Sequence, residues 1–138
     1  MLRARRDVSP EVEQALTTIG LADQRDQPAG VLAHGQKRWL EIGMLLVRDA
    51  RVLLLDEPVA GMNPEETARM MSLIREIRDS GVTVLLVEHD MKLVMGLSDH
   101  IVVLDHGKRI AEGTPTAIQG DPVVIQAYLG RSASHAAA

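Results

Sequence analysis

The sequence predicts an α/β fold: a mostly parallel sheet with helices on its faces, followed by a C-terminal hairpin and helices. Three observations carry this. First, Val52-Leu53-Leu54-Leu55 is a four-residue apolar run that passes directly into Asp56, Glu57 and Pro58. Second, a helix-period segment of about 15 residues links it to another apolar run, residues 82–87, which ends in Glu88-His89-Asp90. Strand, helix, strand at that spacing is a parallel βαβ unit. Third, residues 101–104 form an apolar run, Asp105-His106-Gly107-Lys108 reads as a turn, and residues 109–113 return as an antiparallel strand.

The flanking elements follow from local chemistry. Ser9-Pro10-Glu11-Val12-Glu13 signals a helix start, with Ser9 as cap and Pro10 in the first turn. Val12, Ala15, Leu16 and Ile19 share one helical face, and Gly20 ends the helix. Residues 21–31 read as loop. A second helix follows Leu32-Ala33-His34-Gly35-Gln36, with Trp39, Leu40, Gly43, Met44 and Val47 expected on its buried face. Asn63-Pro64-Glu65-Glu66 is a capping-box start, and Met70, Leu73, Ile74 and Ile77 form the stripe behind it. A short helix is expected from Met91 to Leu97, and two more over 115–118 and 122–129. Residues 131–138 read as a loose tail.

Composition bounds the function. The 138 residues are 46% hydrophobic, enough for a globular core, and the formal net charge of −4 argues against a nucleic-acid partner. Without cysteine there is neither a disulfide framework nor a thiolate metal site. Residues 1–6 are basic, but no apolar segment follows to make a secretion signal, and no run approaches the roughly 18 residues of a membrane span. Aromatics are confined to Trp39 and Tyr128.

A four-residue apolar run suits a strand buried on both faces. Two acids at its carboxyl end sit where desolvation is costly and where ligands bind in open parallel sheets. Asp56, Glu57 and His89 are therefore expected to emerge at one edge. Gly35 and Gln36 fall at a helix amino terminus, whose unpaired N–H groups and dipole suit a phosphate. A glycine-containing loop that merely starts a helix is the plainer reading of that segment. His34, His100, His106 and His135 are not spaced for a metal site and read as surface residues.

Three motifs stand in order: Leu32-Ala33-His34-Gly35-Gln36, then residues 52–58, then His89 after a strand. From about residue 8 to residue 130 the chain resembles the carboxyl-terminal half of an ATP-binding cassette (ABC) ATPase, a partial P-loop NTPase fold. The first motif is similar to that family's LSGGQ signature, the second to its Walker B strand and catalytic Glu, residues 59–63 to its D-loop, and His89 to its switch histidine. Lys37-Arg38-Trp39-Leu40-Glu41-Ile42, Ala60-Gly61-Met62-Asn63-Pro64, Val87-Glu88-His89-Asp90-Met91 and Ala127-Tyr128-Leu129-Gly130 resemble the ATPase subunits of branched-chain amino acid and urea importers. The resemblance implies that residues 8–48 come from the helical signature subdomain and 49–130 from the catalytic core.

It further implies ATP and Mg²⁺ as ligands. Asp56 would hold Mg²⁺ through water. Glu57 would orient or deprotonate the attacking water, and His89 would contact the γ-phosphate. Ala33, His34, Gly35 and Gln36 would meet a nucleotide held by a second ATPase subunit in a head-to-tail dimer, and the loop containing Gly61 and Asn63 would cross the same interface. Further partners would be membrane permease subunits and, indirectly, a periplasmic solute-binding protein, with the ATPase peripheral on the cytoplasmic face of the plasma membrane.

Two features depart from that family. Ala33 stands where the signature has Ser, and His34 replaces its first Gly. The larger departure is that no G-x-x-x-x-G-K-[ST] phosphate loop occurs. Gly30 and Gly35 have its glycine spacing, but Gln36 occupies the Lys position and no strand precedes Gly30. The amino-terminal half of the domain is missing, which would leave strand edges and apolar faces uncovered. The chain reads as a fragment of an importer ATPase; the alternative is a non-catalytic or regulatory half-domain, or a truncated remnant, that needs a partner to supply the phosphate loop. Alone, the chain is expected to bind ATP poorly and to be inactive. Titration calorimetry checks this, and a micromolar dissociation constant would overturn it.

Overall fold

A computed structural model describes residues 8–128. The basic opening residues 1–6, Leu129, Gly130 and the expected tail with His135 lie outside the described residues. The chain divides between His89 and Asp90 into two compact units. Among the described residues no helix is long and apolar enough to cross a membrane.

The first unit begins with α1 (Pro10–Thr18), which buries Ala15 and is followed by buried Ile19 and Leu21. Ser9 makes no side-chain cap; its hydroxyl instead bonds the Glu11 carboxylate, which lowers the pKa of that acid. Gly20 takes φ 71° to end the helix. Two short 3₁₀ turns, Ala22–Gln24 and Ala29–Val31, occupy the expected loop. Then come α2 (His34–Leu46), β1 (Val52–Asp56), α3 (Pro64–Asp79) and β2 (Thr83–Val87).

Strands β1 and β2 pair in parallel, from Val52 opposite Thr83 to Asp56 opposite Val87. The helix between them is the crossover that the pattern requires. Its start is built as expected: Asn63 Oδ1 accepts the Glu66 N–H at 2.9 Å, and Glu66 Oε2 accepts the Asn63 N–H at 3.1 Å. The predicted stripe of Met70, Leu73, Ile74 and Ile77 is buried.

Two packing expectations are corrected. Strand β1 is buried on one face: Leu53 and Leu55 are covered, whereas Val52 and Leu54 are exposed. Strands alternate their side chains, so Val52, Leu54 and Asp56 share the open face with Thr83, Leu85 and Val87 of β2. Helix α3 packs on β2, and Val52, Leu54, Leu85 and Val87 on the other face are exposed. On α2 the covered side is Gly35, Trp39, Ile42 and Gly43, while Met44 and Val47 are exposed. The helix has the expected period, but its covered face takes in Ile42 in place of Met44 and Val47. Gly43 explains the choice, because a Cβ there would lie 2.6 Å from Ile19 Cδ1. Helix α1 therefore crosses α2 at that glycine.

The second unit contains α4 (Met91–Leu97), β3 (Ile101–Asp105), β4 (Lys108–Gly113), α5 (Pro115–Gln119) and a helix over 122–128. Asp90 Oδ1 caps α4 by accepting the Lys92 and Leu93 N–H groups. β3 and β4 are antiparallel, joined by His106 at φ 48° and Gly107 at φ 74°. Two successive positive φ values are the twist-matched geometry of a two-residue hairpin. Ile101, Val103, Ile118 and Val124 form this unit's core. His100 and Arg109 both engage the Glu112 carboxylate and hold its pKa below the usual value, the His100 hydrogen bond acting most strongly.

The one-sided burial of β1 gives opposite expectations for neighbouring leucines. Leu53→Ala should destabilise the chain by about 2–5 kcal/mol, as large-to-small changes in a core do. Leu54→Ala should cost under about 1 kcal/mol, because its side chain is 68% exposed. Urea unfolding of the two variants checks this, and equal losses would place Leu54 in a covered core.

Candidate functional site

The site is assembled at the carboxyl ends of β1 and β2. Asp56 is the last residue of β1 and points to the open face with Leu54. The next residue continues the ladder by one bond, the Glu57 N–H donating to the Val87 carbonyl at 2.9 Å. Glu57 then turns out of the strand at φ 44°. This is the left-handed region, costly for a residue with a Cβ. Two successive turns follow, with the Ala60 N–H bonded to the Glu57 carbonyl and the Met62 N–H to the Val59 carbonyl. They deliver the chain to Asn63 and the start of α3.

This turn brings two of the expected residues together. Glu57 Oε1 lies 3.2 Å from His89 Nδ1, across 32 residues of sequence. Both side chains are open to solvent, at 52% and 80% exposure, so they can reach a ligand. A carboxylate bonded to one imidazole nitrogen orients the ring and leaves the other nitrogen for a second partner. Asp56 is adjacent in sequence but faces an open concavity that it lines with Arg38, Glu41, Leu54 and Pro58. Among the described residues no group of three His, Asp or Glu side chains is arranged to hold a metal. A single exposed carboxylate still fits Mg²⁺, which keeps several waters and takes one or two carboxylates plus substrate phosphates.

The second part of the site is the start of α2. Ala33 is the cap residue, and its side chain has no oxygen to offer the first-turn N–H groups. Gln36 supplies the return half of a capping box: its Oε1 accepts the Ala33 N–H at 2.9 Å. Its amide is thus committed to the helix start. Gly35 is buried in this turn, and His34 is exposed beside it. Gly61, at φ 75°, faces the His34 ring: a Cβ on Gly61 would lie 3.5 Å from His34 Nε2. Gly35 faces the Glu66 carboxyl group in the same way, at 2.8 Å from Oε1. The candidate residues 33–36 and 61–63 therefore form one continuous patch within the first unit.

Three features lay beyond sequence reasoning. The strained φ of Glu57 had one weak signal, Pro58, which disfavours the right-handed helical region for the residue before it. The contact of Glu66 with Gly35 had none. Nor did the stacking of the Arg69 guanidinium 4.7 Å above the Trp39 ring, which again joins α3 to α2.

The fold is shared with proteins of known structure. A solved structure described as the ADP conformation of MJ1267, an ATP-binding cassette of an ABC transporter, superposes with a TM-score of 0.78. It is 28% identical, and the match covers 94% of this chain and 54% of that one. The ABC transporter family model matches residues 3–60, and the model of the branched-chain amino acid ATP-binding cassette transporter matches residues 108–134. The chain belongs to the ABC transporter ATPase family. Its relatives include the high-affinity branched-chain amino acid transport ATP-binding protein BraF of Pseudomonas aeruginosa, 47% identical over 131 residues. The corresponding protein LivG of Escherichia coli is 46% identical over 132 residues. These matches cover 94% and 93% of this chain but 51% and 52% of the relatives. The chain thus spans about half the length of the curated relatives it matches.

The positive φ of Glu57 makes a stability prediction. Glycine carries no left-handed penalty, which is about 1–2 kcal/mol for other residues. Glu57→Gly should therefore be more stable than Glu57→Ala by about 1 kcal/mol, the reverse of the usual order. Denaturant unfolding of the pair checks it, and an alanine variant at least as stable would show that the turn is relaxed.

Proposed function

We propose that the chain is the carboxyl-terminal half of the ATP-hydrolysing subunit of an ABC importer for branched-chain amino acids or a related small polar solute. The observation that carries this reading is the Glu57–His89 contact at the end of a parallel strand, one residue after an exposed aspartate. In this reading residues 8–48 belong to the signature subdomain and 49–130 to the catalytic core.

Each residue then has a task set by its position. Asp56 is the residue that would hold Mg²⁺, which when bound would neutralise phosphate charge. Glu57 orients the attacking water and draws its proton, a role worth roughly 10²–10⁴-fold in rate. His89, held by Glu57 at one ring nitrogen, offers the other to the γ-phosphate. The N–H groups of Gly35 and its neighbours, at the positive end of α2, meet the γ-phosphate of a nucleotide carried by a second ATPase subunit. The loop 60–63 meets that subunit at the same face. The phosphate loop comes from an amino-terminal half, which also covers the open apolar face of β1 and β2. The remaining partners are the membrane permease subunits and, through them, a periplasmic solute-binding protein. The place of action is the cytoplasmic face of the membrane, and no nucleic acid takes part.

A second reading, a half-domain that serves only a partner's nucleotide, is favoured by one observation. The sequence carries no G-x-x-x-x-G-K-[ST] phosphate loop, whereas the residues that would meet a partner's nucleotide, 33–36 and 61–63, stand together at the starts of α2 and α3.

Co-expression with the amino-terminal half of a related cassette separates the two. The catalytic reading expects the joined halves to hydrolyse ATP, and expects Glu57→Gln to lower the rate by at least about 10²-fold. Joined halves that bind ATP without hydrolysing it would favour the second reading. A rate unchanged by Glu57→Gln would remove Glu57 from the chemistry.

A further inference from the structure

The start of α2 approaches the loop and first turn of α3 at two places, and each place pairs a glycine with a polar side chain from the other side. At the first, Gly35 of α2 faces the Glu66 carboxyl group: an added Cβ would lie 2.8 Å from Oε1, 3.0 Å from Cδ and 3.3 Å from Cγ. At the second, Gly61 of the loop faces the His34 ring, at 3.5 Å from Nε2 and 4.0 Å from Cδ2. Glu66 is not idle in this position. Its other oxygen accepts the Asn63 N–H at 3.1 Å, and its own N–H donates to Asn63 Oδ1 at 2.9 Å. One carboxylate thus closes the cap of α3 with Oε2 and lies against the first turn of α2 with Oε1.

We infer that Glu66 and His34 are positioning residues that lock the segments 33–36 and 60–63 into one rigid body, so that neither can shift without the other. This deepens the proposed function, on which its relevance to a partner's nucleotide rests. The physical reason is shape and bond geometry. The Glu66 side chain has no slack, because its carboxylate is fixed at the Asn63 amide. It can lie this close to α2 only because residue 35 has no Cβ. Arg69, one turn further along α3, repeats the link by stacking on Trp39, one turn further along α2. The two helices are therefore registered at successive turns, and the two loops that precede them move as a unit. His34 completes the lock from the opposite side. Its ring stands over Gly61, at φ 75°: a Cβ there would meet Nε2 at 3.5 Å, an ordinary van der Waals contact.

The test is amide hydrogen exchange on this chain without nucleotide. Useful reporters are bonded amides on each side: Ala33 and Lys37 for the start of α2, and Ala60, Met62 and Asn63 for the loop. Glu66→Ala should speed exchange at Asn63, and also at Ala33 and Lys37 across the gap, by about five- to tenfold, the scale of a lost cap. Glu66→Gln, which keeps an acceptor for Asn63, should restore protection on both sides. His34→Ala alters an exposed side chain and should leave the fold intact while speeding exchange at Ala60 and Met62. Gly35→Ala should speed exchange at Asn63 in the parent chain and have no such effect when Glu66 is already Ala. A cap acting on α3 alone would change Asn63 while Ala33 and Lys37 stayed as protected as before. That result, or an unchanged loop in His34→Ala, overturns the inference. Because no ATP is involved, a failed hydrolysis experiment would refute the catalytic reading without touching this result.

Discussion

The parallel register of β1 and β2 is the constraint on which the site depends. Asp56 lies opposite Val87, and the Glu57 amide takes the Val87 carbonyl as its last ladder partner. That bond sets where β1 stops and where Glu57 must turn. A slip of one residue would send Asp56 to the covered face and put Leu55 in the open. It would also part Glu57 from His89, two residues beyond the end of β2. The register is held by Leu53 and Leu55, buried on one side, and by α3, whose cap and apolar stripe fix the crossover between the strands. Core packing and the geometry of the candidate site are thus one problem here.

Much of this was legible in the residues. The crossover helix was readable to its cap because Asn63, Pro64 and Glu66 each have a specific task at a helix start. The stripe behind them falls at one period, so its buried face was unambiguous. That Glu57 and His89 leave the sheet at one edge followed from strand direction, but their contact also needs the turn at Glu57. What could not be read was which apolar surface is covered. An uninterrupted run such as Val52 to Leu55 states that both faces can be buried, not that both are. Helix α2 failed similarly, because Met44 and Ile42 are equally apolar. Only the approach of Ile19 to Gly43 decides between them, and that contact joins residues 24 apart in sequence. Close approaches of this kind depend on the absence of an atom, which a sequence records only as a glycine among other glycines.

Strain was the other hidden feature. Glu57 holds a left-handed backbone that Glu does not favour, next to the imidazole it contacts. Regular propensity fails at this residue, as it tends to at functional positions where the surrounding structure imposes the conformation. The neighbouring residues carry that imposition: the ladder bond before it and the two bonded turns after it leave no relaxed alternative.

The open face of the β1–β2 sheet has an electrostatic meaning as well as a packing one. Asp56 stands on it beside Leu54, Leu85 and Val87, in high-dielectric surroundings where a carboxylate attracts a cation only weakly. Whatever polypeptide seals those three side chains also expels solvent from around the aspartate. Under the proposed function, burying that layer and strengthening the pull of Asp56 on a cation would be one docking event rather than two.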